Sequence, residues 1–307
     1  MKFRINFGLA FIIGITMLLS VACAKVNKYA KVENDNLAGS IVLNDANKKL
    51  DIDEKEGEKQ EKSTSMSTLE ESEKEKLNKS VLNMGEVEPN SIEGKRSVAI
   101  LYYHSINDIT HGIKELFVSP GEFEKQMKYL KDNNYNVIDY NEFLNNKNIE
   151  KPIIITFDDG YEDNYTNAYP ILKKYNYKAT IFVMTDAIGS NLYLKENQIK
   201  EMTDLISFES HTKSHPDLRK LSQKDLQIEL VESQRILENI TGRKPTSIAY
   251  PVGYYDDRVL RMTKEYYIYG FRMGGGIYKE GEDTLTISRV YIPRNYILDQ
   301  FINAIKY

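Results

Sequence analysis

From Ser97 onward, short apolar runs alternate with stretches of helical period, and no other feature narrows the fold of this chain as far. The apolar runs are Val98–Tyr103, Ile153–Phe157, Ala179–Met184, Leu205–Phe208, Ser247–Tyr250 and Leu285–Tyr291. Between them, Glu122–Lys131 places Phe123, Met127 and Leu130 on one helical face, and Asn164–Tyr175 does the same with Tyr165, Ala168, Ile171 and Leu172. Ser222–Ile240 opens on a capping signature, Ser222-x-x-Asp225, and carries Leu226, Leu230, Val231 and Leu237. Strand–helix alternation of this kind predicts a mainly parallel sheet or barrel.

The chain upstream has a different character. No aromatic residue occurs from Ala30 to Leu101, although the 307 residues include 22 Tyr and 11 Phe. Lys, Glu, Asn and Ser dominate there, so too little apolar surface is available to offset the entropy of ordering. Residues 25–95 are therefore expected to be a disordered charged linker, followed by a single domain over residues 96–307. Residues 1–24 read as an export signal: Lys2 and Arg4 precede an apolar run from Phe7 to Ala22. That run is shorter than the roughly 20 apolar residues of a membrane span. Cys23, the only cysteine, follows Leu19-Ser20-Val21-Ala22, which resembles a lipoprotein cleavage box apart from Ser20; cleavage after Ala24 is the alternative. The expected location is the cell surface, lipid-anchored or secreted. With one cysteine, no internal disulfide forms. Lys+Arg total 41 against Asp+Glu 45, a net charge of −4 without the basic face that nucleic acid requires, and a monomer is expected.

Four segments carry chemistry. Ile153–Phe157 runs into Asp158-Asp159-Gly160, a strand ending in adjacent carboxylates. Neighbouring residues there can point apart, one towards a metal and the other towards a water, although an aspartate is also a common helix cap. His211 and His215, after Leu205–Phe208, lie four residues apart, a ligand spacing if the segment makes a helical turn; otherwise they are two polar loop residues. The chain has only four histidines, which favours the first reading. Tyr250-Pro251-Val252-Gly253 is a rigid turn able to aim a backbone N–H into a site, or simply a strand–helix connection. His104 ends the run Leu101-Tyr102-Tyr103. All four follow the carboxyl end of a predicted strand, and in a parallel barrel those ends converge where active sites sit.

Thr156-Phe157-Asp158-Asp159-Gly160 and His211-Thr212-x-x-His215 resemble the first two motifs of the polysaccharide deacetylases, the NodB-homology or carbohydrate esterase family 4 group. The resemblance covers about residues 97–307. It implies a distorted, incomplete (β/α) barrel and a divalent metal on Asp159, His211 and His215: zinc first, with cobalt, nickel or manganese as alternatives. It also implies that Asp158 is the general base and that the Val252 N–H, just after Pro251, is an oxyanion donor, with Tyr250 beside the substrate. The implied substrate is an N-acetylglucosamine polymer, either poly-N-acetylglucosamine or peptidoglycan. An O-acetyl glycan esterase and a non-catalytic glycan binder are the competing functions.

The chain departs from the family pattern in several places. Ala249 stands where the third motif has arginine, and Val252 where an aromatic follows the proline. There is no tryptophan, and no histidine beyond His215 to act as the late catalytic acid. Two substitutes are expected: His104 as the acid, and Arg289 as the arginine that orients Asp158, with an ordinary surface ion pair as the alternative for Arg289. Tyr161, Tyr254 and Tyr255 are placed to stack on sugar rings, or to pack in the core.

Overall fold

Ser97–Tyr103 forms the first strand, β1, with six of its seven residues buried. The structure, a computed structural model, describes residues 95–307, which make up one unit. The expected export signal, Cys23 and all but the last residue of the expected linker lie outside the described residues. The remaining strands are β2 (Ser105–Ile106), β3 (Phe117–Val118), β4 (Asn136–Val137), β5 (Pro152–Phe157), β6 (Ala179–Val183), β7 (Ile206–Ser210), β8 (Ser247–Ala249), β9 (Tyr269–Gly275), β10 (Tyr278–Lys279) and β11 (Ile287–Tyr291). Seven of them pair in parallel in the order β1-β11-β9-β8-β7-β6-β5, and β5 pairs with β1 again. The ring therefore closes with one strand fewer than a full eight-stranded barrel. The β1–β5 seam that closes the ring runs in continuous parallel register from Ala99 opposite Ile153 to Tyr103 opposite Phe157. Two short strands attach outside the ring: β10 runs antiparallel to the start of β1, and β4 runs beside the start of β5.

Side chains alternate between two cores, as the pleat requires. Ala99, Leu101, Tyr103, Ile153, Ile155 and Phe157 face the surrounding helices. Val98, Ile100, Ile154, Phe182, Phe271 and Ile287 fill the barrel interior. Continuing the interior period towards the carboxyl ends gives Tyr102 and His104 on β1, Thr156 and Asp158 on β5, and Arg289 on β11. Polar residues thus replace aliphatic ones where these strands end.

The helices are α1 (Pro120–Asp132), α2 (Tyr140–Asn145), α3 (Tyr169–Tyr175), α4 (Glu196–Glu201), α5 (Gln223–Thr241), α6 (Asp257–Tyr266) and α7 (Leu298–Ala304). Ser222 caps α5 through the Asp225 N–H, as its sequence predicts. The segment from Asn164 to Tyr175 is not a single regular helix: Asn164–Ala168 is a wide π turn, and α3 begins only at Tyr169. Pro170 is the cause, since it has no N–H for an interior helical bond and is tolerated in a first turn. Strand β9 escapes sequence reading because three of its seven residues are glycines, which hide the apolar run.

Candidate active site

Asp158 and Asp159 diverge where β5 ends. Asp158 continues the ladder, donating its N–H to the Tyr103 carbonyl at 2.9 Å. Asp159 then takes a left-handed backbone (φ 71°), followed by Gly160 at φ 78°. The turn needs glycine there, because a Cβ on Gly160 would also lie 3.3 Å from Val183. The kink sends the two carboxylates to different partners.

Asp159 meets both histidines: its Oδ1 lies 3.3 Å from His211 Nε2 and 3.6 Å from His215 Nε2. The three donor atoms fall within 4.8 Å of one another. His211 reaches the site because its N–H extends the β6–β7 ladder to the Val183 carbonyl. Its Nδ1 lies 2.8 Å from the Ala249 carbonyl, which assigns the proton to Nδ1 and leaves the Nε2 lone pair facing Asp159. The expected helical turn between the histidines is absent. Thr212 (φ 66°) and His215 (φ 60°) are both left-handed, and the Thr212 hydroxyl accepts the His215 N–H at 3.1 Å. Glu229 of α5 holds the middle of this loop, taking the Ser214 N–H at 2.8 Å and the Ser214 hydroxyl at 2.6 Å. Sequence reading passed over Glu229 as one polar position on an amphipathic helix; only its burial distinguishes it.

Burial alone would raise the Asp159 pKa, but its contact with His211 and the nearby imidazoles reverse that and hold it well below the ordinary carboxylate range. Burial, aided by repulsion from His211, lowers His215 to about 4. For His211 burial acts downward and the Asp159 hydrogen bond outweighs it, so its pKa is raised. One ionised carboxylate and two imidazoles with Nε2 converging fit a divalent cation of zinc type.

Asp158 is gripped by Arg289. Nη1 donates to Oδ1 and Nη2 to Oδ2, each at 2.8 Å, and the arginine is fully buried. Nη1 also donates to the Thr156 hydroxyl at 3.2 Å and Nε to the Arg272 carbonyl at 3.1 Å, while the guanidinium stacks 4.5 Å over Tyr102. The surface ion pair considered for Arg289 is excluded by this burial. Desolvation raises the Asp158 pKa, but the guanidinium outweighs it, and the net shift is downward. His104 stands beside this pair, 7% exposed, with Nδ1 lacking a hydrogen-bond partner; burial lowers its pKa against the pull of both aspartates. It is therefore neutral at neutral pH in the free protein.

Pro251 and Val252 lie one turn beyond the carbonyl that orients His211. The turn's own backbone bonds run from Gly253 N–H to Tyr250 and from Tyr254 N–H to Pro251, leaving the Val252 N–H out of both. Val252 adopts φ 57°, a strained state for a β-branched residue. Tyr250 corrects its expected role beside the substrate. Its side chain is fully buried and packs with Leu230, Val259 and Tyr267 beneath the turn. Tyr255 packs on Tyr250 at 5.0 Å, and Tyr254 lies under the Arg219 guanidinium at 4.0 Å, so both have protein partners. Tyr161 stacks on Tyr193 at 5.1 Å.

Residues 145–271 match the family described as polysaccharide deacetylase. A poly-beta-1,6-N-acetyl-D-glucosamine N-deacetylase from Staphylococcus aureus is 33% identical over 207 residues, covering 61% of this chain and 70% of the relative. The chain belongs to the polysaccharide deacetylase family. A second relative, YxkH of Bacillus subtilis, is 40% identical over 188 residues, and the match spans 65% of its length. The crystal structure of a polysaccharide deacetylase from Bacillus cereus superposes with a TM-score of 0.66 at 38% identity, covering 69% of this chain and 70% of that one. The family match contains Asp158, Asp159, His211, His215 and the Pro251 turn. His104 and Arg289 lie on either side of it, and the ring closure through β1 brings them back to the site.

Proposed function

We propose that this chain is an exported hydrolase that removes acetyl groups from N-acetylglucosamine units of a cell-surface polysaccharide. Poly-N-acetylglucosamine is the first candidate substrate and peptidoglycan the second. One observation carries the reading: a carboxylate locked by a buried arginine stands next to a converging Asp–His–His donor set. Asp159, His211 and His215 would hold the cation, zinc by preference. When bound, such an ion polarises the acetamide carbonyl and makes the attacking water more acidic. Asp158, kept ionised by Arg289, accepts a proton from that water as the new C–O bond forms. The Val252 N–H is suited to donate to the oxygen that gains negative charge. The departing nitrogen must be protonated as the C–N bond breaks, giving acetate and a free amine. His104, neutral in the free protein, can supply that proton only after receiving one, and Asp158, which follows Phe157 as His104 follows its register partner Tyr103, can pass on the proton it took from the water. The export signal read at residues 1–24 supports a location outside the cytoplasm, with Cys23 as the lipid attachment point if the signal is of lipoprotein type.

The test is acetate release from defined N-acetylglucosamine oligomers and from peptidoglycan, with chelator and after adding zinc back. Release that stops with chelator and returns with zinc supports the reading. Release from acetylated xylan alone would make the protein an O-acetyl esterase. Oligomer binding without acetate at any metal loading would make it a binding protein.

A further inference from the structure

The register between β1 and β5 ends at Tyr103, so the carbonyl of His104 lies beyond the ladder. A side chain takes it instead: Asn164 Nδ2 donates to it at 2.8 Å. Asn164 is 1% exposed, and its Nδ2 also lies 3.3 Å from Asp163 Oδ1. Both neighbours are acceptors, which fixes the orientation of the amide. Asn164 Oδ1 is buried without a partner, so the amide is used on its donor side.

Two flanking side chains act on the same stretch. Asp163 precedes the π turn Asn164–Ala168, a place where an aspartate ordinarily caps the N–H groups of its own turn. Its carboxylate makes no such bond. It accepts the Ile106 N–H at 2.9 Å and the Ser105 hydroxyl. Asn167 Nδ2 donates to the Ile106 carbonyl at 2.8 Å. Residues 104–106 are thus fastened to residues 163–167, in a wide turn of the kind that collects at functional sites. The His104 imidazole is tied less firmly. Its Nδ1 has no hydrogen-bond partner, and its ring meets Tyr102 and Tyr291 edge-on, with centroids 6.0 and 6.3 Å away. Where the ring stands is therefore set largely by its backbone.

We propose that Asn164, supported by Asp163, is a positioning residue that sets where the His104 imidazole stands relative to Asp158; the proposal rests on the acid role argued for His104 above. Asp158, Asp159, Asp163 and Asn164 all belong to residues 158–164. The segment that carries the base and a metal donor therefore also fixes the acid. Removing the Asn164 amide frees the His104 carbonyl, while the contacts of Asp158 with Arg289 and of Asp159 with the histidines do not involve Asn164. A misplacement of about 1 Å in a catalytic group can cost on the order of 100-fold in rate.

Leaving-group dependence separates the positioning of an acid from general support of the fold. An acetamide needs its nitrogen protonated as the C–N bond breaks, whereas 4-nitrophenyl acetate expels a 4-nitrophenolate that needs no proton. Turnover of a β-1,6-linked N-acetylglucosamine pentamer and of 4-nitrophenyl acetate is measured on the zinc-loaded full-length protein. Asn164→Ala is expected to lower kcat on the pentamer by about tenfold or more, with KM and the ester rate within about twofold. His104→Ala should lose about 100-fold on the pentamer, and adding Asn164→Ala to it should cause no further loss. Asn164→Leu, similar in size and equally unable to donate, should match Asn164→Ala and takes its place if the alanine protein does not fold. Equal losses on both substrates, or losses that multiply in the double variant, overturn the proposal. The imidazole C–H signals of His104 give a readout without turnover: they are assigned in NMR spectra of chelator-treated protein by their disappearance in His104→Ala. They should shift in the Asn164 variant while those of His111 stay in place, and unmoved His104 signals overturn the positioning. A wild type that releases no acetate, or a His104→Ala protein with full turnover, refutes the role argued for the site or for His104, and the NMR comparison still decides that of Asn164.

Discussion

Arg289 holds both oxygens of the Asp158 carboxylate from a fully buried position. A buried charge pair gains little over an apolar pair, but removing one partner strands the other, at a cost of about 3–5 kcal/mol. Arg289→Met is therefore expected to lose about that much stability in denaturant titration at neutral pH. The native Asp158 pKa is depressed, so its contribution to stability is present above about pH 4 and is lost as pH falls through the native value. Without the guanidinium, burial acts unopposed and the carboxyl pKa rises. The acidic limb of the pH–rate profile should then move upward by at least one unit, and an unmoved limb would show that Arg289 does not govern Asp158. Lysine cannot restore the two-pronged contact, so Arg289→Lys should recover less than half of the lost stability. Asp159→Asn is expected to abolish tight zinc uptake in calorimetric titration while leaving the far-ultraviolet circular dichroism spectrum unchanged.

The elements act by presenting backbone at fixed heights. Strand β8 is only three residues long, yet its Ala249 carbonyl fixes the His211 tautomer at the position where family relatives are expected to carry arginine. Helix α5 stabilises the ligand loop through Glu229, although α5 itself lies outside the site. Removing a residue that orients ligands costs metal affinity on the order of 10–100-fold. Glu229→Ala should weaken zinc binding by that factor in a competition assay, with a loss of kcat at limiting zinc that saturating zinc restores. A kcat deficit that persists at saturating zinc would mean the loop has a role beyond holding the metal.

The molecule as a whole is a ring, and the ring explains why residues outside the family match belong to the site. β1 and β11 join at Leu101–Val290, and β1 closes on β5, so His104 and Arg289 arrive from opposite ends of the domain. A fragment of residues 145–271 lacks both strands and should remain unfolded by circular dichroism, whereas residues 95–307 should fold and bind zinc. Much of this was legible beforehand. The sequence by itself determined the alternation of strands and helices, and it put Asp158, Asp159, His211 and His215 at strand ends, because local period and motif spacing are properties of neighbouring residues. It also exposed a missing arginine and named Arg289 as a replacement. Only the tertiary structure decided that Arg289 is buried against Asp158, that Tyr250 belongs to the core, that Glu229 secures the ligand loop and that glycine-rich β9 completes the ring. Those outcomes depend on which residues meet once the elements pack, from Ser214 with Glu229 to Asp158 with Arg289, 131 residues apart, and such contacts leave no trace in local periodicity.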